Sequence, residues 1–375
     1  GNVWPFKQLS NGKYDLGQWN PEYWARFENF LEETQKREIF VQIELWDQWD
    51  FFHAGWDKTP WHPESNVNYS FKNTKVKDQY GDPMLEVHDF FRSVPEVNDD
   101  DVLLKYQRRF IEKLLSYSLD YDHVLYCIDN EIHPSYPREW SLYWARLIHR
   151  KALEAGTHAE VTEMFWTKEM RAKDHRLVLE NPEIFNFFDA AQNTVNKIPW
   201  EHWRNLQWVR YALEEDTRPI NIVKIYSGRD QGPDRMWRHV IGGAASSRFH
   251  RPNSGIGLNE TAQSHIKSIR MWLEEYDIFT GRPDGNPGYG GGHHLLTDRE
   301  REEAWCHYRK GQQYSVYFPE GGEVGLKLPD GNYTVRWLNI EQSRWTNKRQ
   351  VNGGINVSLS TPGEGHWLAL VTKKD

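Results

Sequence analysis

The stretch VLYCIDNEIHP, residues 124 to 134, carries both a fold signal and a chemical signal. Its first five residues form an unbroken apolar run, which is typical of a strand buried on both faces of a parallel sheet. Asp129, Asn130 and Glu131 follow at once, and Pro134 ends the extended run. The stretch therefore predicts a buried strand whose carboxyl end carries two carboxylates and an amide.

Similar β-type runs alternate with helical patterns along the first 250 residues. The predicted strands are NVWPF (2–6), IFVQIEL (39–45), HVLYCID (123–129), AEVTEMFW (159–166), IFNFFDA (184–190), INIVKIY (220–226) and GGAASSRFH (242–250). Amphipathic patterns predict helices over 21–37, where Asn20 and Pro21 form a start signal, over 101–118 and over 138–156. This alternation is typical of a parallel sheet covered by helices, and the chain length favours a (β/α)8 TIM barrel.

The predicted organisation has three parts. Seven barrel strands are visible instead of eight, so we expect the first strand and its helix to lie upstream of residue 1. A Gly- and Pro-rich segment predicts a linker over 281–303, after a barrel over 1–280. Short alternating runs broken by turn residues predict an antiparallel β-sandwich over 304–375. Its strands are YSVYF, EVGLKL, YTVRWLN, INVSLS and WLALVT.

Composition narrows the class of protein. The formal charge is −8 and the sequence pI is about 6.1, which argues against nucleic acid as a partner. No apolar run is long enough to predict a membrane span. Aromatic residues make up 14% of the chain, and the segment 46–64 interleaves tryptophans with Asp and His. Flat rings beside polar groups are what a sugar-binding cleft needs, although they could also fill a core. The cysteines and histidines show no metal-ligand spacing, so neither a metal nor a cofactor is expected.

In a (β/α)8 barrel the active site lies at the carboxyl ends of the strands. Acidic, amide, basic and aromatic residues follow the predicted strands there: Glu44, Trp46, Asp47, Asp129, Asn130, Glu131, Glu163, Trp166, Asp189, Gln192, Asn193, Lys224, Tyr226, Asp230, Arg248 and His250. A purely structural barrel would not require so many polar groups at one rim. The pattern therefore predicts a functional site.

Glu131 is the predicted general acid. A carboxyl group at the end of a buried strand is partly desolvated, which raises its pKa and suits it to donate a proton near neutral pH. Glycoside hydrolysis uses two such carboxyl groups, a general acid and a base or nucleophile. Glu44 is the preferred candidate for the base or nucleophile. The competing interpretation is structural: Glu131 could cap the rim in an ion pair, and Glu44 could form a salt bridge, with Lys224 as one partner.

The Asn130-Glu131 pair at the end of a barrel strand resembles the acid/base motif of the large retaining (β/α)8 glycoside hydrolase group, in which the pair ends strand four. NPEYWARFENFLEETQKREIFVQIELWD, HVLYCIDNE and YSVYFPEGGEVGLKLPDGNYTVRWLN also resemble apiosidase-like glycosidases. In those proteins a collagen-binding-type β-sandwich follows the barrel. The resemblance covers most of the chain, and it implies that Glu131 is the acid/base residue.

One departure from that group concerns the nucleophile, a carboxylate that ends strand seven. Here the corresponding run, INIVKIYSGRDQG, has no carboxylate before Asp230. Asp230 could serve, or another rim carboxylate could, with Glu44 preferred over Glu163. Alternatively, the site binds glycosides without cleaving them. Whether the reaction would retain or invert the anomeric centre stays open.

The sequence thus predicts a secreted or periplasmic glycoside hydrolase that acts on a poly- or oligosaccharide. Glu131 and Glu44 are its predicted catalytic residues. The predicted substrate-binding residues are Trp46, Asp47, Asn130, Glu163, Trp166, Gln192, Asn193, Lys224, Tyr226 and His250. The rivals are a non-catalytic carbohydrate-binding protein on a glycosidase-like barrel and a barrel lyase that uses Lys224 or Tyr226 as its base. The oligomeric state is left open.

Overall fold

The computed structural model describes residues 3–82, 85–196, 198–224, 232–248, 258–285, 293–300, 302–354 and 356–374. The chain divides into two compact units. Unit 1 comprises residues 1–167 and 173–188, and unit 2 comprises residues 168–172 and 189–375. The predicted three-part division at 280 and 303 stays a prediction.

Helices and strands of both units make up a mixed α/β structure. The α-helices are α1 (Pro21–Gln35), α2 (Asp101–Ser118), α3 (Arg138–Glu154), α4 (Arg176–Leu179), α5 (Pro199–Ala212), α6 (Gly232–Ile241) and α7 (Glu260–Leu273). The strands are β1 (Phe6–Gln8), β2 (Tyr14–Trp19), β3 (Val41–Asp47), β4 (Val124–Asn130), β5 (Glu160–Thr162), β6 (Phe188–Asp189), β7 (Ile220–Asn221), β8 (Arg282–Pro283), β9 (Leu296–Thr297), β10 (Trp305–Arg309), β11 (Gln313–Phe318), β12 (Glu323–Lys327), β13 (Asn332–Asn339), β14 (Arg344–Trp345), β15 (Arg349–Asn352), β16 (Asn356–Ser360) and β17 (Trp367–Lys373). No helix in the described ranges is long and apolar enough to cross a membrane.

Unit 1 is built on a parallel sheet in the order β3-β4-β5. The predicted strands at 39–45 and 123–129 are confirmed as β3 and β4, and the predicted strand at 159–166 forms only over Glu160–Thr162. The predicted helix over 101–118 is confirmed as α2, where the Asp100 side chain caps the start by accepting the backbone N–H of Leu103 at 3.1 Å. These strands carry the polar residues of the candidate site at their carboxyl ends.

The prediction of a barrel strand at NVWPF (2–6), the first strand visible in the sequence, is wrong. Phe6–Gln8 instead forms an antiparallel hairpin with β2, which the sequence analysis missed. The turn between them contains Asn11-Gly12, and Gly12 has a left-handed φ of 82°. Asn-Gly between two β-type runs is a strong sequence signal for a hairpin.

In unit 2, strands are shorter than the sequence predicts. The run 220–226 forms a strand only at Ile220–Asn221, and its last two residues lie outside the described ranges. The run 242–250 forms no strand over its described part, which ends at residue 248. Nevertheless, Ala245 and Arg248 donate backbone N–H groups to the carbonyls of Ile220 and Ile222, so this segment runs alongside β7.

The carboxyl-terminal part of unit 2 contains two antiparallel sheets. One sheet has the order β14-β13-β17-β11-β10-β8, with β15 also on β13, and the other has the order β16-β12-β9. The predicted strands YSVYF, EVGLKL, YTVRWLN, INVSLS and WLALVT are confirmed within them. Both sheets contribute to one buried cluster, in which Leu326 and Leu359 of one sheet join Val316 and Val371 of the other. The predicted linker supplies β8 and β9 to these sheets.

A partly buried charge cluster stabilises unit 2. Nε2 of His366 lies 3.0 Å from Oδ1 of Asp234 in α6, and its Nδ1 lies 2.5 Å from Oε1 of Glu341. Asp234 also accepts the hydroxyl of Tyr317 at 2.6 Å. Burial by itself would lower the pKa of His366, but the two carboxylates outweigh it and raise that pKa to about 9. The histidine therefore carries a positive charge in the folded protein at neutral pH.

Replacing His366 with Gln is expected to lower stability in a pH-dependent way. Because the folded pKa of about 9 exceeds the unfolded value, the charged histidine stabilises fully below about pH 6.5. The contribution is lost as the pH rises through 9. Since Glu341 is partly exposed, we expect about 1–2 kcal/mol at pH 6 and little at pH 10, measured by chemical denaturation. The exposed His158→Gln is the control, and an equal loss at both pH values would contradict the assignment.

Candidate active site

Glu131 lies in a bulge between β4 and β5. Leu125 pairs with Glu160 and Cys127 with Thr162, but beyond the bulge Ile132 pairs with Phe165. Residues 128–131 therefore lie opposite only residues 163–164. Glu131 itself has a left-handed φ of 56°, which is uncommon for a residue other than glycine. Bulges and such backbone outliers concentrate at functional sites, where they re-aim a side chain.

Gln48, just after β3, holds this bulge through three hydrogen bonds. Its side-chain amide donates to the backbone carbonyl of Glu131 and accepts the backbone N–H of His133 at 3.2 Å. Its own backbone N–H donates to Oδ1 of Asp129 at 3.2 Å. The Gln48 side chain is 1% exposed, so these bonds form away from water. The end of β3 thereby fixes the backbone on both sides of Glu131.

Glu163 fills the gap that the bulge leaves in the β4–β5 ladder. Its Oε1 accepts the backbone N–H groups of Asp129 and Met164, both at 3.0 Å. With 1% exposure, this carboxylate lies inside the protein rather than on a substrate-accessible wall. Its position explains why the sheet can carry an irregularity without leaving a buried N–H unpaired.

Asp129 is fully buried beside other carboxylates. Burial, and then the charges of Glu163 and Asp47, raise the pKa of Asp129 well above its ordinary value, and Glu44 adds a smaller effect in the same direction. The group is therefore neutral at a pH where exposed carboxylates are charged. It limits the negative charge that collects beneath Glu131.

Two side chains hold Glu131 and its neighbour in place from the β3 side. Nε1 of Trp49 donates to Oε2 of Glu131 at 3.1 Å, and Nδ2 of Asn130 donates to Oδ2 of Asp47 at 2.9 Å. Asp47 also accepts the backbone N–H of Trp49 at 3.0 Å, which caps the 3-10 turn Gln48–Phe51. Glu131, Asp47 and Asn130 are all partly exposed. The structure thus brings together three of the predicted residues.

The aromatic wall of this site consists of Trp49, Trp166 and His133. The Trp49 and Trp166 rings meet edge to face with centroids 6.1 Å apart, and His133 lies 5.4 Å from Trp166. All three are partly exposed. Trp46, a predicted sugar platform, is instead 4% exposed in the core of unit 1, against the rings of Trp61, Phe90, Phe110, Trp140 and Trp144.

The other predicted residues fall in several environments. Glu44 is exposed on β3, where its Cα faces that of Cys127. In unit 2, Gln192 and Asn193 are buried, and Asn193 donates to the carbonyl of His202 at 2.9 Å. Lys224, also in unit 2, is half-buried. Tyr226, Asp230 and His250 lie outside the described residues.

Sequence reasoning missed Gln48 and Trp49 and gave Asp129 no defined role. The first two directly follow Asp47, which was selected, so the segment after β3 was the available signal. Over the described ranges, no group of three or more His, Cys, Asp or Glu side chains is arranged to hold a metal ion. The carboxylates near Glu131 instead accept hydrogen bonds: Glu163 and Asp47 accept backbone N–H groups, and Asp47 also accepts the side-chain amide of Asn130.

Replacing Asp129 with Asn is expected to preserve or raise stability at neutral pH. A carboxyl group with a raised folded pKa costs stability as the pH rises above its unfolded value of about 3.8, because the unfolded state releases the proton first. The amide cannot ionise and keeps an oxygen for the N–H of Gln48. Thermal melts from pH 4 to 9 should therefore fall less steeply for the variant. The exposed Asp120→Asn should follow the wild type, and a steeper fall for Asp129→Asn would contradict the protonated state.

Comparison with known proteins finds likeness at the level of fold. No protein-family model matches the sequence, and no curated protein matches it. A glycoside hydrolase of family 5 from Bacteroides vulgatus superposes with a TM-score of 0.55 at 11% identity, covering 94% of this chain and 87% of that one. A second solved structure, a glycoside hydrolase, has a TM-score of 0.56 at 12% identity, with coverage of 94% and 90%. The chain therefore has a fold similar to that of glycoside hydrolases.

Proposed function

We propose that this protein is a glycoside hydrolase that cleaves glycosidic bonds in a poly- or oligosaccharide, with Glu131 as general acid. The observation that carries the proposal is that neighbouring residues fix both the backbone and the carboxyl group of Glu131. Its backbone is left-handed in a bulge, its carbonyl is held by Gln48, and its carboxyl group accepts the indole N–H of Trp49. A carboxyl group held this way can meet a glycosidic oxygen in a defined geometry.

The proposed architecture is a (β/α)8 barrel over 1–280 followed by a β-sandwich over 304–375. The parallel order β3-β4-β5 with flanking helices supports the barrel, as does the fold similarity to glycoside hydrolases. The two antiparallel sheets with one shared hydrophobic cluster support the sandwich. A secreted or periplasmic location suits a polysaccharide substrate and is part of the proposal.

Glu44 is the proposed second carboxylate. Of the predicted carboxyl groups on β3 and β4 and at their ends, Glu44, Asp47 and Glu131 are at least partly exposed. Asp47 is already engaged by Asn130 and by the backbone of Trp49. Glu163 is nearly fully buried, and its Oε1 completes the sheet ladder. Exposure therefore favours Glu44 over Glu163 as the nucleophile or base.

The sugar subsite is proposed to lie against Trp49, Trp166 and His133. Partly exposed rings offer apolar faces for the C–H groups of a pyranose, while Asp47 and Asn130 offer polar atoms for its hydroxyls. This assignment moves the stacking role from Trp46 to Trp49, because Trp46 is enclosed by other aromatic rings.

Replacing Glu131 with Gln is expected to lower kcat by about 100- to 10,000-fold, because the proton donor is lost. The glutamine oxygen can still accept the Trp49 N–H, so the melting temperature should stay within about 2 °C of the wild type. The measurement is the release of new reducing ends from a panel of plant, algal and microbial polysaccharides. Exposed Glu180→Gln is the matched control.

The outcomes of that assay separate the proposal from its rivals. Retained glycan binding without cleavage by either form would favour the non-catalytic binding protein. Cleavage that survives Glu131→Gln undiminished would remove Glu131 from the mechanism and turn attention to Lys224 and Tyr226.

Glu44→Gln and Glu163→Gln are expected to behave differently. If Glu44 is the second carboxylate, its amide variant loses at least about 100-fold in kcat, while Glu163→Gln stays within about tenfold because its oxygen still accepts both N–H groups. Initial rates on the best substrate would measure this, and NMR of the first-formed anomer would show retention or inversion. The reverse order of losses would make Glu163 the partner.

A further inference from the structure

Unit 2 contains a cavity of about 810 Å³ that none of the preceding arguments uses. Its walls come from the end of α5, the segment that enters β7, the segment after α6, and β8 with β10. Pockets that bind small molecules have volumes of roughly 300–1,000 Å³. Residues Pro219 and Ile220 line the cavity at the start of β7, whereas Lys224 follows that strand. The cavity therefore lies at the opposite end of β7 from the predicted rim.

The lining is rich in arginine. Arg210, Arg218 and Arg282 line the cavity, and Glu214 is the carboxylate among its lining residues. Arg218 is paired, since its Nε lies 2.9 Å from Oδ2 of Asp216. For Arg210 and Arg282, no carboxylate oxygen lies within ion-pair distance in the part of the chain that the structure describes. Among the described residues, the cavity thus presents two guanidinium groups whose charge is not balanced by a contacting acid.

Both of these guanidinium groups are fixed in place with donors to spare. Nη1 of Arg210 donates to Gln207 at 3.0 Å, and a Cβ added at Gly243 would meet its Nε at 2.8 Å, so the side chain lies against that backbone. Nε of Arg282 donates to the hydroxyl of Tyr308 at 2.8 Å. A guanidinium group has five N–H donors, and the described residues accept one of them from each of these arginines.

The two arginines also repel each other. Burial and then the neighbouring Arg282 lower the pKa of Arg210 to about 10, against the opposing effects of Glu214 and Tyr308. Arg210 stays charged at neutral pH, but its folded environment disfavours that charge. An anion that contacts both groups would relieve the repulsion and form bidentate, charge-assisted hydrogen bonds.

Aromatic rings flank the basic lining. Phe279 lines the cavity with its side chain 85% exposed, and Tyr308 is half-buried under the Arg282 guanidinium, 5.3 Å from its ring centroid. An inorganic anion has no apolar surface that could pack on the exposed phenyl ring of Phe279. A ring-shaped ligand with an anionic substituent would use both features, because its apolar face can pack on the phenyl group.

We propose that this cavity is a second binding site for an acidic saccharide, with a uronate carboxylate or sulfate ester between Arg210 and Arg282 and a sugar face on Phe279. The choice of a saccharide rests on the proposed function, whereas the choice of an anion rests on the arginines alone. The uronate carboxylate and the sulfate ester are both oxyanions, and each can accept several N–H hydrogen bonds.

The test is isothermal titration calorimetry on the full chain in the Glu131→Gln background, so that no probe is hydrolysed. The probes are trigalacturonate, 6-O-sulfated lactose, neutral lactose and inorganic sulfate. We expect at least one acidic saccharide to bind at least tenfold more tightly than lactose and sulfate, and to weaken with added salt. The tighter of the two acidic probes identifies the anionic group.

Variants place the binding in the cavity. Arg282 is exposed, so Arg282→Gln is expected to fold normally and to weaken the acidic saccharide at least tenfold. Phe279→Ala should weaken it several-fold. Exposed Arg349→Gln removes the same charge outside the cavity and should change affinity less than twofold. Circular dichroism and thermal melts check that each variant is folded.

Three results would overturn the proposal. They are equal affinity for lactose and the acidic probes, equal losses in Arg282→Gln and Arg349→Gln, and inorganic sulfate binding as tightly as the saccharides. None of these depends on cleavage. A protein that cleaves no glycan can still pass this test, and an active hydrolase can still fail it, so the two proposals stand or fall separately.

Discussion

The bulge at the end of β4 is the constraint on which the candidate site depends. In a regular strand, the side chain of Glu131 would point to one face of the sheet, as the alternation along the strand requires. Instead, its left-handed backbone turns the residue out of that pattern. Gln48 holds the turn from β3, and Glu163 supplies the acceptor that the interrupted ladder lacks. The three residues come from three successive strand ends, so only the folded sheet can assemble them.

This arrangement has an electrostatic cost that the structure limits. Glu163, Asp47 and Glu44 all act on Asp129, and full ionisation would leave several charges together in a medium of low dielectric constant. The raised pKa of Asp129 removes one of those charges. Hydrogen bonds stabilise two of the other carboxylates: Glu163 accepts a backbone N–H group, and Asp47 accepts the side-chain amide of Asn130. The negative charge around Glu131 is thereby reduced.

Local patterns of the sequence were sufficient for α2, β3 and β4, because caps, amphipathic spacing and apolar runs act within one segment. The bulge was not predictable, since it depends on a register between β4 and β5 that no local pattern encodes. The prediction that Trp46 stacks on the sugar was wrong for a related reason. Trp46 and Trp49 have similar neighbours in sequence, but strand direction and packing against the helices send Trp46 into the core.

The carboxylates around Glu131 and the arginines of the unit 2 cavity impose opposite demands on a ligand. A uniformly acidic chain would suit Arg210 and Arg282 but would be repelled by Asp47 and Glu44, which the proposed function assigns to the substrate cleft. A uniformly neutral chain would avoid repulsion by the carboxylates around Glu131, but it would form no ion pair with Arg210 or Arg282. Under the two proposals, a saccharide with charged groups on only some of its residues suits each site taken separately, because its neutral sugars avoid the repulsion by the carboxylates. Taken together, the two proposals predict that sparsely charged polysaccharides are better substrates than fully uronic ones.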